Sequence, residues 1–483
     1  MPCGASDATP ASARQIHSSG RQYSLVFSDE FEIEGRQFGE WSSDPCWTAI
    51  DHADVNGGLA AFRSDHVTTK HGKLVVRTTM DSPTTYKSAM LQSWNKFCFR
   101  GGVIEFSAKL PGEYGVPGLW PALWLLGNLG RATYLDSTNG MWPWSFDACA
   151  PNITSVDGYA GWSQQITACN RHVGSGMHKF QGRGAPEIDI MEAQITCLDK
   201  CPALATASLQ IAPRLLRKER PETGHLPTSD QWYQGLVFGN RSTINQWYYG
   251  AEWNDCVSAL TPLGATHYSD FHTYRLEWAA PEGEAKDGYF RWYYDGVVVF
   301  SIPASAFQQR QRGNPIGEMP KEPMSIVINT AVATSFSTPC TLWSNDSRCK
   351  EIFAGEGARF EIDYVRVYQE QGNAAHTCGC SPEAFPTKEW IEAHSEWYGM
   401  DVPGRRHIQL RVLVPTILII ILVVMFASVR GQLACTSFIA WCFQPTLCGG
   451  WSKSSNAPDE EPLLDRRQQL PRSYSDHPGD ALS

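Results

Sequence analysis

The chain lacks any concentration of basic charge. Forty Lys and Arg stand against fifty Asp and Glu in 483 residues, a formal net charge of −10, and no basic cluster suited to phosphates interrupts that balance. A nucleic-acid partner is therefore not expected. Helical periodicity is also scarce, with no pattern of useful length before residue 385. The first 22 residues hold no apolar h-region, so no secretory signal is visible. "CLDKC" and "CGC" occur, yet no tetrad with zinc-like spacing and partner histidines accompanies them. No metal or other cofactor is expected, and these cysteines read as disulfide formers.

Aromatic residues are plentiful: they make up 12% of the chain, and 18 of them are tryptophans. Flat apolar rings suit both sugar faces and core packing, and composition does not separate the two uses. One long apolar run, Val412 to Val429, is bounded by Arg411 and Arg430. At about 1.5 Å per residue it is just long enough for a hydrocarbon core of roughly 30 Å, which predicts a transmembrane helix and a membrane partner. Eleven cysteines between Cys46 and Cys380, with sequons at Asn152, Asn240 and Asn345, suit an oxidising lumen. Arg405, Arg406 and Arg411 ahead of the span favour the opposite orientation. The cysteines and sequons are given the greater weight. The expectation is a single-pass protein of the secretory or endomembrane system with its large domain lumenal or extracellular, whose true N-terminus or second anchor is missing.

From Tyr23 onward, short alternating segments such as "LVVRTT", "GGVIEFSAKL", "HTYRLEW" and "MSIVINTAV" read as strands. In "YYDGVV", Asp295-Gly296 suits a type I′ hairpin turn. Many strands without alternating helices predict an all-β antiparallel sandwich with long loops pinned by disulfides, drawn from cysteines including 149, 169, 197, 201 and 256. The expected organisation is a disordered or truncated lead over 1–22, a β-domain over 23–400 and a linker over 401–411. The span over 412–429 follows, and then a Cys-containing, disordered tail over 430–483. Within the tail "DEEPLL", with Asp459, Leu463 and Leu464, has the form of an acidic dileucine signal for sorting adaptors.

The stretch "EIDIME" carries acids at Glu187, Asp189 and Glu192. On a regular strand Glu187 and Asp189 share a face, whereas Glu192, five residues from Glu187, falls on the other. One bulge at Ile190-Met191 would restore it. Three carboxylates on one face repel one another, and retaining glycoside hydrolysis gives a reason to accept that cost. One acid attacks the anomeric carbon and a second, roughly 5 to 5.5 Å away, protonates the leaving oxygen. An internal control is "FEIDYVRVYQ", which repeats Glu-Ile-Asp at 361–363 without a third acid.

These residues and their surroundings, "SAMLQSWNKFCFRGGVIEFSAKLPG", "GLWPALWLLGNLGRATY", "GMWPWSFDAC", "GRGAPEIDIMEAQ" and "FPTKEWIEAH", resemble family 16 glycoside hydrolases. Within them the likeness is to the fungal β-1,6-glucan-synthesis-associated proteins, over roughly residues 23 to 395. The resemblance implies a concanavalin A-like jelly roll. It implies Glu187 as nucleophile, Asp189 as assisting carboxylate and Glu192 as acid/base, with Trp120, Trp124, Asn128, Arg131 and Gln194 at the sugar site. Arg131 could equally serve a structural ion pair. Trp142, Trp144 and Trp162 would supply acceptor subsites or else pack the insertion. A structural calcium ion is compatible with such folds, but no dedicated ligand cluster is visible. The fungal relatives carry their anchor ahead of the catalytic domain, whereas here the visible span lies behind it.

The expectation is a membrane-anchored retaining transglycosylase that takes a β-glucan donor and acceptor in making β-1,6-branched glucan for a wall or a store. Hydrolysis of β-1,3-glucan by the same chemistry, and a non-catalytic glucan-binding assembly factor, are the alternatives.

Overall fold

The computed structural model describes residues 3–400 except 55–56, 150–163, 213–233, 240, 246–254, 280–287, 308–309, 312–313 and 316–317. Its compact unit extends to Tyr398. In chain order its principal strands are β1 (Gln15–Ser18), β2 (Arg21–Asp29), β3 (Thr48–Ala49), β4 (Leu74–Ser82), β5 (Met90–Gln92), β6 (Gly102–Lys109), β7 (Trp120–Gly127), β8 (Glu187–Gln194), β9 (Ala203–Ile211), β10 (Asp255–Leu263), β11 (His272–Ala279), β12 (Tyr289–Tyr294), β13 (Val297–Pro303), β14 (Met324–Ala331) and β15 (Ala358–Glu370).

They form two antiparallel sheets of a jelly-roll-like sandwich. One runs β13-β12-β11-β6-β15-β4, with β2 also paired to β15. The other runs β10-β9-β8-β7-β14, and β5 pairs with β14 and β3 with β5. Alternation decides what lies between them. Ile188, Ile190, Leu123, Leu125, Ile326 and Ile328 enter a core with Phe106, Leu276, Trp292, Val365 and Val367 of the facing sheet. The intervening residues of the second sheet turn to its open face, where the acids stand. The predicted hairpin is present: Tyr294 pairs with Val297, and Asp295 and Gly296 have φ of 49° and 75°, as a type I′ turn requires.

The lead over 1–22 departs from expectation. Its described part is built into the domain: Cys3 is bridged to Cys46, Thr9 Oγ1 donates to Glu30 Oε1 at 2.7 Å, and β1 pairs with β2. Few apolar residues mark this segment, because a disulfide and polar contacts hold it rather than a buried stripe.

Disulfides do pin the loops. Cys149–Cys169 closes part of the β7–β8 insertion, and Cys197–Cys201 and Cys340–Cys349 close shorter loops. Cys98–Cys380 ties the C-terminal segment to the sandwich. Cys256 lies buried on β10. Beyond the last bridge, residues 381–398, with α1 (Lys388–Ala393), strap the insertion in place. Arg183 donates to the carbonyl of Pro386 at 2.6 Å and forms a fully buried pair with Glu322 at 2.7 Å. The Tyr398 hydroxyl donates to the Leu129 carbonyl at 2.8 Å. Among the described residues no helix is long and apolar enough to cross a membrane. The expected span at 412–429 lies outside them, as do Asn152, Trp162, Asn240, Asp459, Leu463 and Leu464.

Candidate active site

The bulge in β8 is present where the spacing of the acids predicts it. Against β9, Asp189 pairs with Ser208 and Glu192 with Thr206, so that Ile190 and Met191 together oppose one residue. Against β7, Trp124 pairs with Asp189 and Leu123 with Met191. Ile190 and Met191 are both fully buried in the inter-sheet core. The extra residue thus goes inward, and Glu187, Asp189 and Glu192 emerge together on the open face.

No cation neutralises these acids: among the described residues, no Lys or Arg is paired with any of them. Neutral donors hold them instead. Trp142 Nε1 donates to Glu187 Oε2 at 2.8 Å. Gln210 Nε2 donates to Glu187 Oε1 at 2.6 Å and to Asp189 Oδ2 at 2.8 Å. Glu192 accepts from Trp120 Nε1 and from Thr206 Oγ1, both at 2.9 Å. The strand itself is fixed from beneath, where Trp292 Nε1 donates to the Asp189 carbonyl at 2.9 Å and the Tyr294 hydroxyl to that of Ile190 at 3.1 Å.

Without a counter-charge, burial governs protonation. It pushes Glu192 up to about 8, helped by the neighbouring Asp189 and opposed by the Thr206 and Trp120 donors. Burial also raises Asp189 well above the usual carboxylate range, and the charge of Glu187 adds to it. Glu187 is raised by burial and by Glu192, while hydrogen bonds from Asp189 and Trp142 oppose the rise. The proton shared by the inner pair therefore resides on Asp189, which donates it to Glu187. The outcome is that Glu192 and Asp189 are both held toward their protonated forms, while Glu187 has donors on both of its oxygens.

Trp120 and Trp124 stand on β7, the strand paired with the acids' own. The ring of Trp120 stacks on Phe336 at 4.2 Å. Trp124 Nε1 donates to Asn329 Oδ1 at 2.7 Å, and Gln194 shares the acids' face at 5% exposure. Three expected sugar contacts have other occupations. Asn128 is fully buried, its Oδ1 accepting from the Asn95 amide at 3.0 Å and its Nδ2 donating to Thr387 Oγ1 at 3.3 Å. Arg131 is buried beneath the loop, donating to Glu40 Oε1 at 2.8 Å and to the carbonyl of Tyr398; its structural alternative is the one observed. Trp144 is buried edge-on against Phe146, because the loop that turns Trp142 outward turns Trp144 inward. Asn345 is exposed, on the loop closed by Cys340–Cys349.

Sequence reasoning missed Gln210, Thr206, Phe336 and Asn329. The alternation in "TASLQI" places Thr206 and Gln210 on one face, but only the strand register shows which acids they meet. Elsewhere among the described residues, His267, His272 and Asp295 could offer metal ligands together. They stand at the margin of the other sheet, His267 on the short helix Thr266–Ser269, His272 at the start of β11 and Asp295 in the β12–β13 turn, where His272 Nδ1 is already bonded to Asp295 at 2.7 Å.

Residues 5–402 match the family described as beta-glucan synthesis-associated protein SKN1/KRE6/Sbg1. The chain is 34% identical over 417 residues to beta-glucan synthesis-associated protein SKN1 of Saccharomyces cerevisiae, covering 81% of this chain and 49% of that protein. To KRE6 of the same yeast it is 36% identical over 410 residues, covering 80% and 52%. The chain spans about half the length of the curated relatives it matches. Among solved structures it is similar to an endo-beta-1,3-glucanase from Pyrococcus furiosus, at 20% identity with a TM-score of 0.40, covering 75% of this chain and 98% of the other. The chain belongs to the SKN1/KRE6/Sbg1 family of β-glucan synthesis-associated proteins.

Proposed function

We propose that this protein is a retaining transglycosylase of the glycoside-hydrolase type, taking β-glucan as donor and acceptor and working on β-1,6-branched glucan. The observation that carries the reading is the bulge, which brings three acids to one face with only neutral donors around them. Glu187 attacks the anomeric carbon, and the bond to the leaving oxygen breaks as Glu192 gives that oxygen its proton. A glycosyl ester on Glu187 results. Glu192, now ionised, takes the proton of an acceptor hydroxyl whose oxygen attacks the same carbon and frees Glu187. Asp189 returns its hydrogen bond to the departing carboxylate. The sandwich on this reading is a concanavalin A-like jelly roll of family 16 glycoside hydrolases.

The five disulfides among the described residues support a lumenal or extracellular site for this domain. The apolar run at 412–429 would anchor it, and "DEEPLL" would meet sorting adaptors on the far side.

Incubating the protein with laminari-oligosaccharides and weighing the products by mass spectrometry tests the proposal. Products longer than the substrate are expected. Shorter products alone would assign hydrolysis, and no product from any glucan, with binding retained, would assign a non-catalytic assembly role.

A further inference from the structure

Trp41 is 84% exposed, and among the described residues its indole makes no ring stack, cation–π pair or side-chain hydrogen bond. Its loop is nevertheless tied down at several points. Arg36 donates twice to Asp44 Oδ2, at 3.1 and 2.8 Å. Lys96 Nζ donates to the carbonyls of Asp44 and Trp47 at 2.8 and 2.6 Å, and Cys46 is bridged to Cys3. The residue before the indole, Glu40, accepts from Arg131 Nη2 at 2.8 Å and from the Tyr134 hydroxyl at 3.2 Å. A rotamer-poor aromatic side chain on a fixed loop, with its ring in water, loses little entropy when it takes a partner.

The register places β3, into which the Trp41 loop leads, with respect to the acids. Across the open face Asp189 pairs with Trp124, Trp124 with Val327, Val327 with Gln92 and Gln92 with Thr48. Four strand spacings, roughly 19 Å, separate the catalytic strand from β3, and the Trp41 loop leads directly into β3. The ground between is aromatic and apolar: Trp120, Trp124, Trp142 and Tyr134 pack on one cluster with Met90 and Val327, and Tyr134 carries His52 on its ring at 4.8 Å. A polymer lying across the strands from the acids toward β3 would span several pyranose rings before it reached the indole. The chemistry of the platform is that of an uncharged sugar, whose axial C–H faces stack on an aromatic ring and need no counter-ion.

Resting on the function proposed above, we infer that Trp41 is a distal stacking subsite for β-glucan, several sugars from the bond acted on, and that it makes the protein favour polymeric over short donors. The test uses the full chain carrying Glu187→Gln, so that ligand is bound and not turned over, with and without Trp41→Ala. Affinity is measured for laminari-oligosaccharides from disaccharide to heptasaccharide and for laminarin. In the parent, affinity rises with length and steps up once the chain reaches the loop. Trp41→Ala removes that step, a loss of about tenfold for the longest ligands, and Trp41→Phe keeps most of it. An unchanged length dependence in Trp41→Ala, or a parent that binds no β-glucan, overturns the subsite. If wild-type protein yields no product from any glucan while the step is still seen, the catalytic reading fails and the subsite stands.

Discussion

Glu-Ile-Asp occurs twice in this molecule, on β8 at 187–189 and on β15 at 361–363. Each copy lies at an irregularity in strand pairing: on β8 it falls just after the triplet, between Asp189 and Glu192, while on β15 Ser107 meets Tyr364 and Ala108 meets Ile362, so that Asp363 within the triplet is the extra residue. Five residues beyond the first acid, however, β8 has Glu192 and β15 has Arg366. The consequences run through both surroundings. Glu361 is paired with Lys109 at 2.8 Å, and Arg366 with Glu30 at 2.7 Å. On β8 the partners are an indole, a carboxamide and a hydroxyl, none of them charged. The two strands share a pattern and a bend. What distinguishes a site from a surface is whether the acids are neutralised or left to compete for protons.

The difference can be broken directly. Glu192→Arg gives β8 the pattern of β15, and activity on β-glucan should fall by about four orders of magnitude or more, since the proton donor is lost and a cation stands beside Glu187. Glu187→Gln should cost a similar factor while glucan binding persists, which calorimetry can check against the kinetics. Smaller changes sharpen the contrast by moving single protonation events. The Trp142 donor favours the ionised form of Glu187, so Trp142→Phe should raise the acidic limb of the kcat/KM profile and leave the alkaline limb in place. Thr206→Val removes a donor that favours ionised Glu192, so the alkaline limb should move above its position near pH 8, with a loss of rate of several-fold.

The smallest effect is on stability. Glu192 is raised from 4.5 to about 8 in the folded protein, so folding takes up a proton between those values. The associated stabilisation is complete below about pH 4.5 and is lost as pH rises toward 8. Glu192→Gln has no such proton to lose. Its melting temperature should gain on that of the wild type by a few degrees over this window, and the gap should be flat outside it.

Much of the site was legible because its logic is local. A five-residue gap between acids on an alternating strand calls for a bulge, and the Asp295-Gly296 turn follows from backbone sterics alone. The errors lie where a residue's partner is far away in the chain. Arg131 looks like a sugar contact until Tyr398, 267 residues later, closes over it. Asn128 likewise depends on Thr387. Trp142 and Trp144 are neighbours of equal appearance, and only the path of the insertion sends one to Glu187 and the other inward. The lead at residues 3–22 offered no hydrophobic period to read, since a disulfide and hydroxyl contacts hold it.

On the proposed function, the bulge on β8 makes Glu187 a nucleophile and Glu192 its acid/base partner. Proton NMR of the first product formed from a β-glucan tests it most directly. The new anomeric centre should appear in the β configuration, as two successive displacements at one carbon require. Initial formation of the α anomer would mean a single displacement by water, and would contradict the account.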